Sequence, residues 1–215
     1  MKIHHTAIVA DGAALADDVE IGPYTIIGAE SEIGAGCVIG AHVILENRVV
    51  LGDGTKIGHG SILGANPQDF SFDPARKDTG VRVGRNNTIR EYVTIHRATA
   101  EGSDTVVGSG NYLMTGCHVG HDSFLGDGII IANNVLLAGH VHVEDRVVFG
   151  GGTALHQFMR IGTHAMVGGG CRFSKDIPPF LIGTRQNLVA GINAIGLRRA
   201  GFSKEARSDI RRAFG

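Results

Sequence analysis

The chain contains no tryptophan, only 6% aromatic residues and five prolines in 215 residues. A core packed around large rings is therefore excluded, and branched aliphatics have to fill the interior. Three cysteines, Cys37, Cys117 and Cys171, are odd in number and far apart, which fits a reducing compartment. No stretch approaches the roughly 18 apolar residues of a membrane span. Met1-Lys2-Ile3-His4-His5 lacks the apolar run of a secretory signal. The formal net charge is −1, so no field of one sign points to nucleic acid or a membrane surface. These absences describe a soluble, cytoplasmic protein.

Glycine is abundant instead, at 33 residues, without a collagen period. That usage predicts many tight corners, and the apolar pattern places them. Stepping by six from Ile3 meets Val9, Leu15, Ile21, Ile27, Ile33, Ile39, Leu45, Leu51, Ile57 and Leu63, with Gly directly after most of them. The pattern resumes out of phase at Val83, Ile89 and Ile95. After a miss at Glu101 it runs every sixth residue from Val107 to Phe173. A helix would repeat at 3.6 and a half-buried strand at 2. A period of six fits a short strand plus a bend, with the aliphatic pointing inward. Three such sides close a triangular coil of roughly 18 residues. About nine coils stacked at ~4.8 Å give a prism of ~45 Å, in which each coil satisfies the backbone of its neighbours.

Residues 65–82 and 98–106 break the register and are expected to loop out of the prism, where function usually sits. After Phe173 the repeat stops at Asp176-Ile177-Pro178-Pro179. Residues 1–180 are therefore assigned to the β-helix and 181–215 to a C-terminal cap and the start of a helical region. Within the cap, 187–197 reads as a short helix or irregular segment, and Ser203 as the N-cap of a helix beginning at Lys204. That helix reaches Gly215 with no stop signal, as in a chain cut short.

Eleven histidines cluster towards the second half. His121, His140 and Gln157 are nearly one coil apart, so they should project near one corner of three successive coils, with His118 and Asp122 beside the first. Three readings stand on spacing alone. One histidine can serve as a general base, since an imidazole pKa near 6.5 suits that role at neutral pH. His118-x-x-His121-Asp122 and His140-x-His142 could instead bind a metal, or the histidines decorate a polar face.

Longer motifs carry a resemblance. Asn87-Thr88-Ile89-Arg90-Glu91-Tyr92-Val93-Thr94-Ile95-His96-Arg97, His118-Val119-Gly120-His121-Asp122, and Ala132-Asn133-Asn134 followed by Leu137-Ala138-Gly139-His140-Val141 lie in register along the chain. With His156-Gln157-Phe158, Asp176-Ile177-Pro178-Pro179 and Gly201-Phe202-Ser203 they resemble the UDP-N-acetylglucosamine 3-O-acyltransferases of lipid A synthesis. This is a family of hexapeptide-repeat acyltransferases, and the likeness spans essentially the whole chain.

The resemblance implies left-handed coils, a homotrimer with sites between neighbouring prisms, and no cofactor or metal. It implies transfer of an acyl chain, of the 3-hydroxyacyl kind, from acyl carrier protein to the 3-hydroxyl of a UDP-sugar. His121 would be the base, Asp122 its orienting partner, and the Gly139 N–H would face the oxyanion. Gln68 and Asp69 would hold the sugar, His118, His140 and Gln157 would line the pocket, and Asn193 and Arg199 would lie near the nucleotide. Gly169 stands where family members limit chain length, and its small size favours a longer chain. Two positions depart from the family pattern, Ser71 for a lysine and Ile195 for a glutamate, and most of a helical C-terminal domain is missing. Two alternatives stay open: a relative that acylates a different nucleotide sugar, amino sugars included, or a trimeric metal-binding protein of the same fold.

Overall fold

The computed structural model describes residues 1–214. Its strands are mostly two residues long and pair in parallel into three sheets of 11, 9 and 8 strands. Partners are one coil apart, as in Ile3 with Ile21, Ile39 with Ile57 and Leu113 with Ile131. Successive strands belong to different sheets, so the chain turns a corner after each one and returns to the first sheet on the fourth. The result is a three-faced parallel β-helix.

The six-residue aliphatic column is the interior. From Ile21 to Phe173 its members are buried, with Ile27, Leu125, Leu137 and Val167 fully so. Each such side chain contributes roughly 1.5–3 kcal/mol by leaving water. The first coil differs, since Ile3 is 40% exposed and Val9 and Leu15 are only part-buried. Nothing stacks beneath them among the described residues.

A second inward column lies two residues before each aliphatic. It mixes apolar side chains such as Val43, Ile129 and Met159 with small or polar ones, including Thr25, Cys37, Ser61, Asn87, Asn111 and Thr153. The polar ones satisfy corner carbonyls that have no strand partner. Thr25 Oγ1 donates to the Gly40 carbonyl at 2.7 Å, and Asn87 Nδ2 donates to those of Gly84 and Gly108. Asn87 Oδ1 in turn accepts from the Asn111 N–H, and Asn111 Oδ1 from the Ile129 N–H.

Two loops leave the prism at one edge, between the second and third faces. The longer, 66–79, joins strand Ile62–Ala65 to Gly80–Val83, and the shorter, 97–103, joins Thr94–His96 to Asp104–Val107. Arg97 knits the long loop together from inside. Its guanidinium is fully buried, donates to Asn66 Oδ1 and the carbonyls of Pro74 and Arg76, and lies 4.9 Å from the centre of the Phe72 ring.

Beyond Phe173 the last coil is closed by an antiparallel pair, Leu181–Thr184 with Leu188–Ile192. Helix α1 covers Ala194–Arg199 and α2 covers Lys204–Phe214. The segment read as a short helix or irregular cap is thus part strand and part helix. Ser203 Oγ accepts from the Ala206 N–H, as expected of an N-cap. The Gly215 end of the helix lies outside the described residues.

Candidate active site

On the edge that carries the two loops, the next three corners are occupied by Asp122, His140 and Phe158. All three have positive φ, 57°, 60° and 65°. A left-handed backbone is uncommon away from glycine, Asn, Asp and His. Here it is held by the coil below, because the His140 N–H donates to the His121 carbonyl and the Phe158 N–H to that of Gly139. The vertical columns are therefore Asp122–His140–Phe158 and, beside it, His121–Gly139–Gln157. The expected stack of His121, His140 and Gln157 is drawn from both. Phe158 stands in the sequence only within the His156-Gln157-Phe158 motif, with no role assigned, although its one-coil spacing from His140 was visible. Its ring stacks on His140 with centroids 4.5 Å apart.

His121 Nδ1 lies 2.7 Å from Asp122 Oδ2. Burial pushes the Asp122 carboxyl up, but hydrogen bonds from Thr99, His121 and Ala100 outweigh it and leave the pKa below its ordinary value. An ionised carboxylate has no proton to give, so Nδ1–H is the donor. Nε2 then keeps its lone pair, while the face of the ring lies against Gly139. A Cβ built on Gly139 would fall 2.5 Å from His121 Nε2, so the absence of a side chain there makes room for the ring.

These groups open onto a cleft of about 500 Å³ lined by Gln68, His96, His118, His121, Gly139 and Gln157. Leu136, Leu137 and Leu155 supply an apolar wall. His118 Nδ1 is paired with Thr94 Oγ1 at 2.8 Å. His96 packs edge-on against His118 with centroids 4.8 Å apart, and its Nδ1 is buried with no partner among the described residues. Burial, followed by the charges of His118 and His121, pushes the His96 pKa down to about 4. Burial and then His121 also lower that of His118. Both rings are neutral at neutral pH, and His118 acts as a hydrogen-bonding group rather than a cation. His96 stands in the sequence only within the Asn87–Arg97 motif, with no role of its own assigned there.

Asp69 sits beside the cleft in the long loop. Its Oδ1 accepts from the N–H and hydroxyl of Ser71, which holds its carboxyl below the usual range. The serine found in place of a lysine is thus turned back on Asp69. His140 Nε2 lies 3.6 Å from Asp122 Oδ2.

Asn193 and Arg199 are not among the residues lining this cleft in the single chain. Asn193 is buried, its Oδ1 accepting from the Gly196 N–H as the N-cap of α1 and its Nδ2 donating to the His164 carbonyl. Arg199 is exposed in the last turn of α1.

The metal set read from spacing is not assembled as such. His142 projects from the third face and stacks on Phe124. Donor atoms of His121, Asp122 and His140 do lie within 4.8 Å of one another. Both oxygens of Asp122, however, already accept from Thr99, Ala100 and His121.

A prism of six-residue repeats with an imidazole–carboxylate pair at one corner is the frame of a hexapeptide-repeat transferase. Residues 30–65 match the bacterial transferase hexapeptide family, described as six repeats. Residues 176–215 match the family described as UDP N-acetylglucosamine O-acyltransferase, domain 2. The chain is 50% identical over 214 residues to the acyl-[acyl-carrier-protein]–UDP-N-acetylglucosamine O-acyltransferase of Herminiimonas arsenicoxydans, covering 99% of this chain and 81% of that one. It is 52% identical over 217 residues to the protein of that name from Anaeromyxobacter dehalogenans strain 2CP-1, covering 100% and 83%. The solved UDP-N-acetylglucosamine acyltransferase from Campylobacter jejuni matches with a TM-score of 0.94 at 37% identity, over 99% of this chain and 83% of that one. This chain belongs to the acyl-[acyl-carrier-protein]–UDP-N-acetylglucosamine O-acyltransferase family, and its fold is the left-handed parallel β-helix.

Proposed function

We propose that the protein transfers an acyl chain, of the 3-hydroxyacyl class, from acyl carrier protein to the 3-hydroxyl of UDP-N-acetylglucosamine, the first step of lipid A biosynthesis. The observation that carries this reading is the His121–Asp122 pair, with the free Nε2 set against Gly139 in a half-apolar cleft.

His121 Nε2 takes the proton from the sugar O3 as that oxygen attacks the thioester carbonyl. Asp122 holds the ring and stabilises the imidazolium that forms. The tetrahedral oxyanion faces the Gly139 N–H, which has no protein acceptor among the described residues. Collapse of the intermediate breaks the C–S bond, and the imidazolium returns its proton to the departing thiolate. Gln68 and Asp69 hold the sugar, while His118, His140 and Gln157 line its approach. Asn193, as the N-cap of α1, seats the helix whose exposed Arg199 reaches the nucleotide from a neighbouring protomer of a trimer, whose assembly also covers exposed prism faces. No described helix is long and apolar enough to cross a membrane, in keeping with a soluble cytoplasmic enzyme.

The test is incubation with UDP-N-acetylglucosamine, with a UDP-sugar carrying an amine at C3, and with carrier proteins bearing acyl chains of several lengths, read by mass spectrometry. The expected product is the 3-O-acyl nucleotide sugar, with longer hydroxyacyl chains preferred. His121→Ala should lower turnover ~10²–10⁴-fold. Exclusive acylation of the amine would move the assignment to that acceptor. Activity abolished by a chelator would overturn the metal-free mechanism.

A further inference from the structure

We infer that Thr99, on the shorter loop, is a positioning residue for the reaction, acting through Asp122 to set the orientation and basicity of His121. The inference rests on His121 being the base. Thr99 Oγ1–H donates to Asp122 Oδ2 at 2.6 Å, the same oxygen that takes the His121 Nδ1–H at 2.7 Å. The Thr99 N–H donates to Oδ1 at 3.0 Å, and the Ala100 N–H to the same atom at 3.3 Å. The carboxylate is thus seated in a cradle built almost entirely by one inserted loop.

That loop is itself fixed. The Ser103 hydroxyl closes it on the Ala100 carbonyl at 2.6 Å. Arg76 Nη1 donates to the Thr99 carbonyl, and the Gly102 N–H donates to Asp78 Oδ2. Both anchors come from the longer loop, which bears Gln68 and Asp69. From the backbone side, the Asp122 N–H donates to Thr105 Oγ1 at 2.8 Å. An uninterrupted corner would leave Asp122 facing solvent, and the insertion puts donors there instead.

Bonds to an ionised acceptor are strong, and two donors on one oxygen compete for its charge. With the Thr99 hydroxyl in place, Oδ2 shares its charge between the hydroxyl and the imidazole. Without it, the full charge stabilises the imidazolium, so the base holds its proton to higher pH. The other titratable groups around His121 are Asp69 from the long loop, His96 from the coil before, His118 on the same coil and His140 from the coil after. None bonds to Thr99, so their contribution is common to all variants.

The experiment compares Thr99→Val, which keeps the shape without the hydroxyl, with Thr99→Ser, which restores it. Two readouts are taken on the full chain: the pH dependence of kcat/KM, and the NMR titration of the His121 ring in the unliganded protein. Thr99→Val should move the ring titration and the acid limb upward by about half a unit to one unit. That is a ~3–10-fold loss on the acid limb, with KM for the UDP-sugar within about twofold of wild type. Thr99→Ser should follow the wild-type titration. Coincident titrations for Thr99→Val and wild type, or Thr99→Ser behaving as Thr99→Val, would overturn the proposal. If valine disorders the loop, seen as lost amide protection at 98–103, Thr99→Ala is put through the same ring titration, and that result decides. Because the titration needs no turnover, it stays informative if His121→Ala proves active and the base assignment itself fails.

Discussion

The imidazole of His121 lies directly over the α-carbon of Gly139, its neighbour on the next coil. A methyl group placed there would stand 2.5 Å from Nε2 and 2.6 Å from Cε1. Gly139 does not have the positive φ found at its neighbour His140, so its backbone tolerates a side chain and the conflict is with the ring alone. The ring is pinned by Asp122 and has little freedom to yield. Gly139→Ala should therefore fold normally and keep the backbone N–H, yet displace the base. A ~10²-fold fall in kcat with a melting temperature within a few degrees of wild type is expected. Wild-type turnover in the alanine variant would show that the contact does not matter.

Asp122 serves two partners, and substitution should separate them. In Asp122→Asn, an amide N–H₂ replaces one acceptor oxygen opposite the donors of Thr99 and Ala100. Either the ring or the loop then loses its acceptor, at a cost of about 1–3 kcal/mol for the group left unpaired. Hydrogen exchange should report faster amides at 98–103 in Asp122→Asn, alongside lost turnover. His121→Ala should lose turnover with those amides still protected. Equal protection in both variants would contradict the shared role.

The neutral histidines make the fold sensitive to acid. His96 titrates near pH 4 when folded, against about 6.5 in an unfolded chain. Between those values the unfolded state binds more protons, so stability rises with pH through that window and is lost as pH falls through it. The slope approaches about 1.4 kcal/mol per pH unit for one such group. His118, also lowered, adds to the same window. Urea unfolding from pH 4 to 7 should show this slope, and His96→Gln should flatten it. An unchanged slope in that variant would place the acid sensitivity elsewhere.

Arg97 is a fully buried guanidinium with no carboxylate partner among the described residues, and its side-chain hydrogen bonds all go to the long loop. Arg97→Met keeps bulk while leaving Asn66 Oδ1 and the carbonyls of Pro74 and Arg76 to find water. The loop should loosen while the coils stay intact. We expect limited proteolysis within 66–79, a loss of about 2 kcal/mol, and a ~10-fold rise in KM for the UDP-sugar with little change in kcat. A loop that remains resistant to protease would show that the guanidinium is not its pillar.

The three-sided prism was legible in the sequence because a period of six needs a turn after every short strand, whereas its left hand came from the family resemblance and not from the period. An aliphatic at Ile21, Ile27, Ile33 and onward can point inward only if the chain turns between each pair. Stacked coils then pair every strand without a partner from elsewhere. The adjacency of His121 and Asp122 was equally plain, since neighbours in sequence at a corner remain neighbours in space.

What crosses between coils was decided only by the tertiary structure. Contacts there depend on which residues fall in the same column, and a one-residue offset moves a side chain to the adjacent one. Thus Gly139, not His140, lies over His121, and Phe158 covers His140. The loops break the regular spacing altogether. No pattern in 97–103 announces that Thr99 will reach Asp122, or that Arg97 will turn inward to Asn66, because both contacts join segments of irregular length. His96 and Asn193 show the same limit from the other side. Burial and partners, which the linear order does not encode, make the first a cleft wall and the second a helix cap.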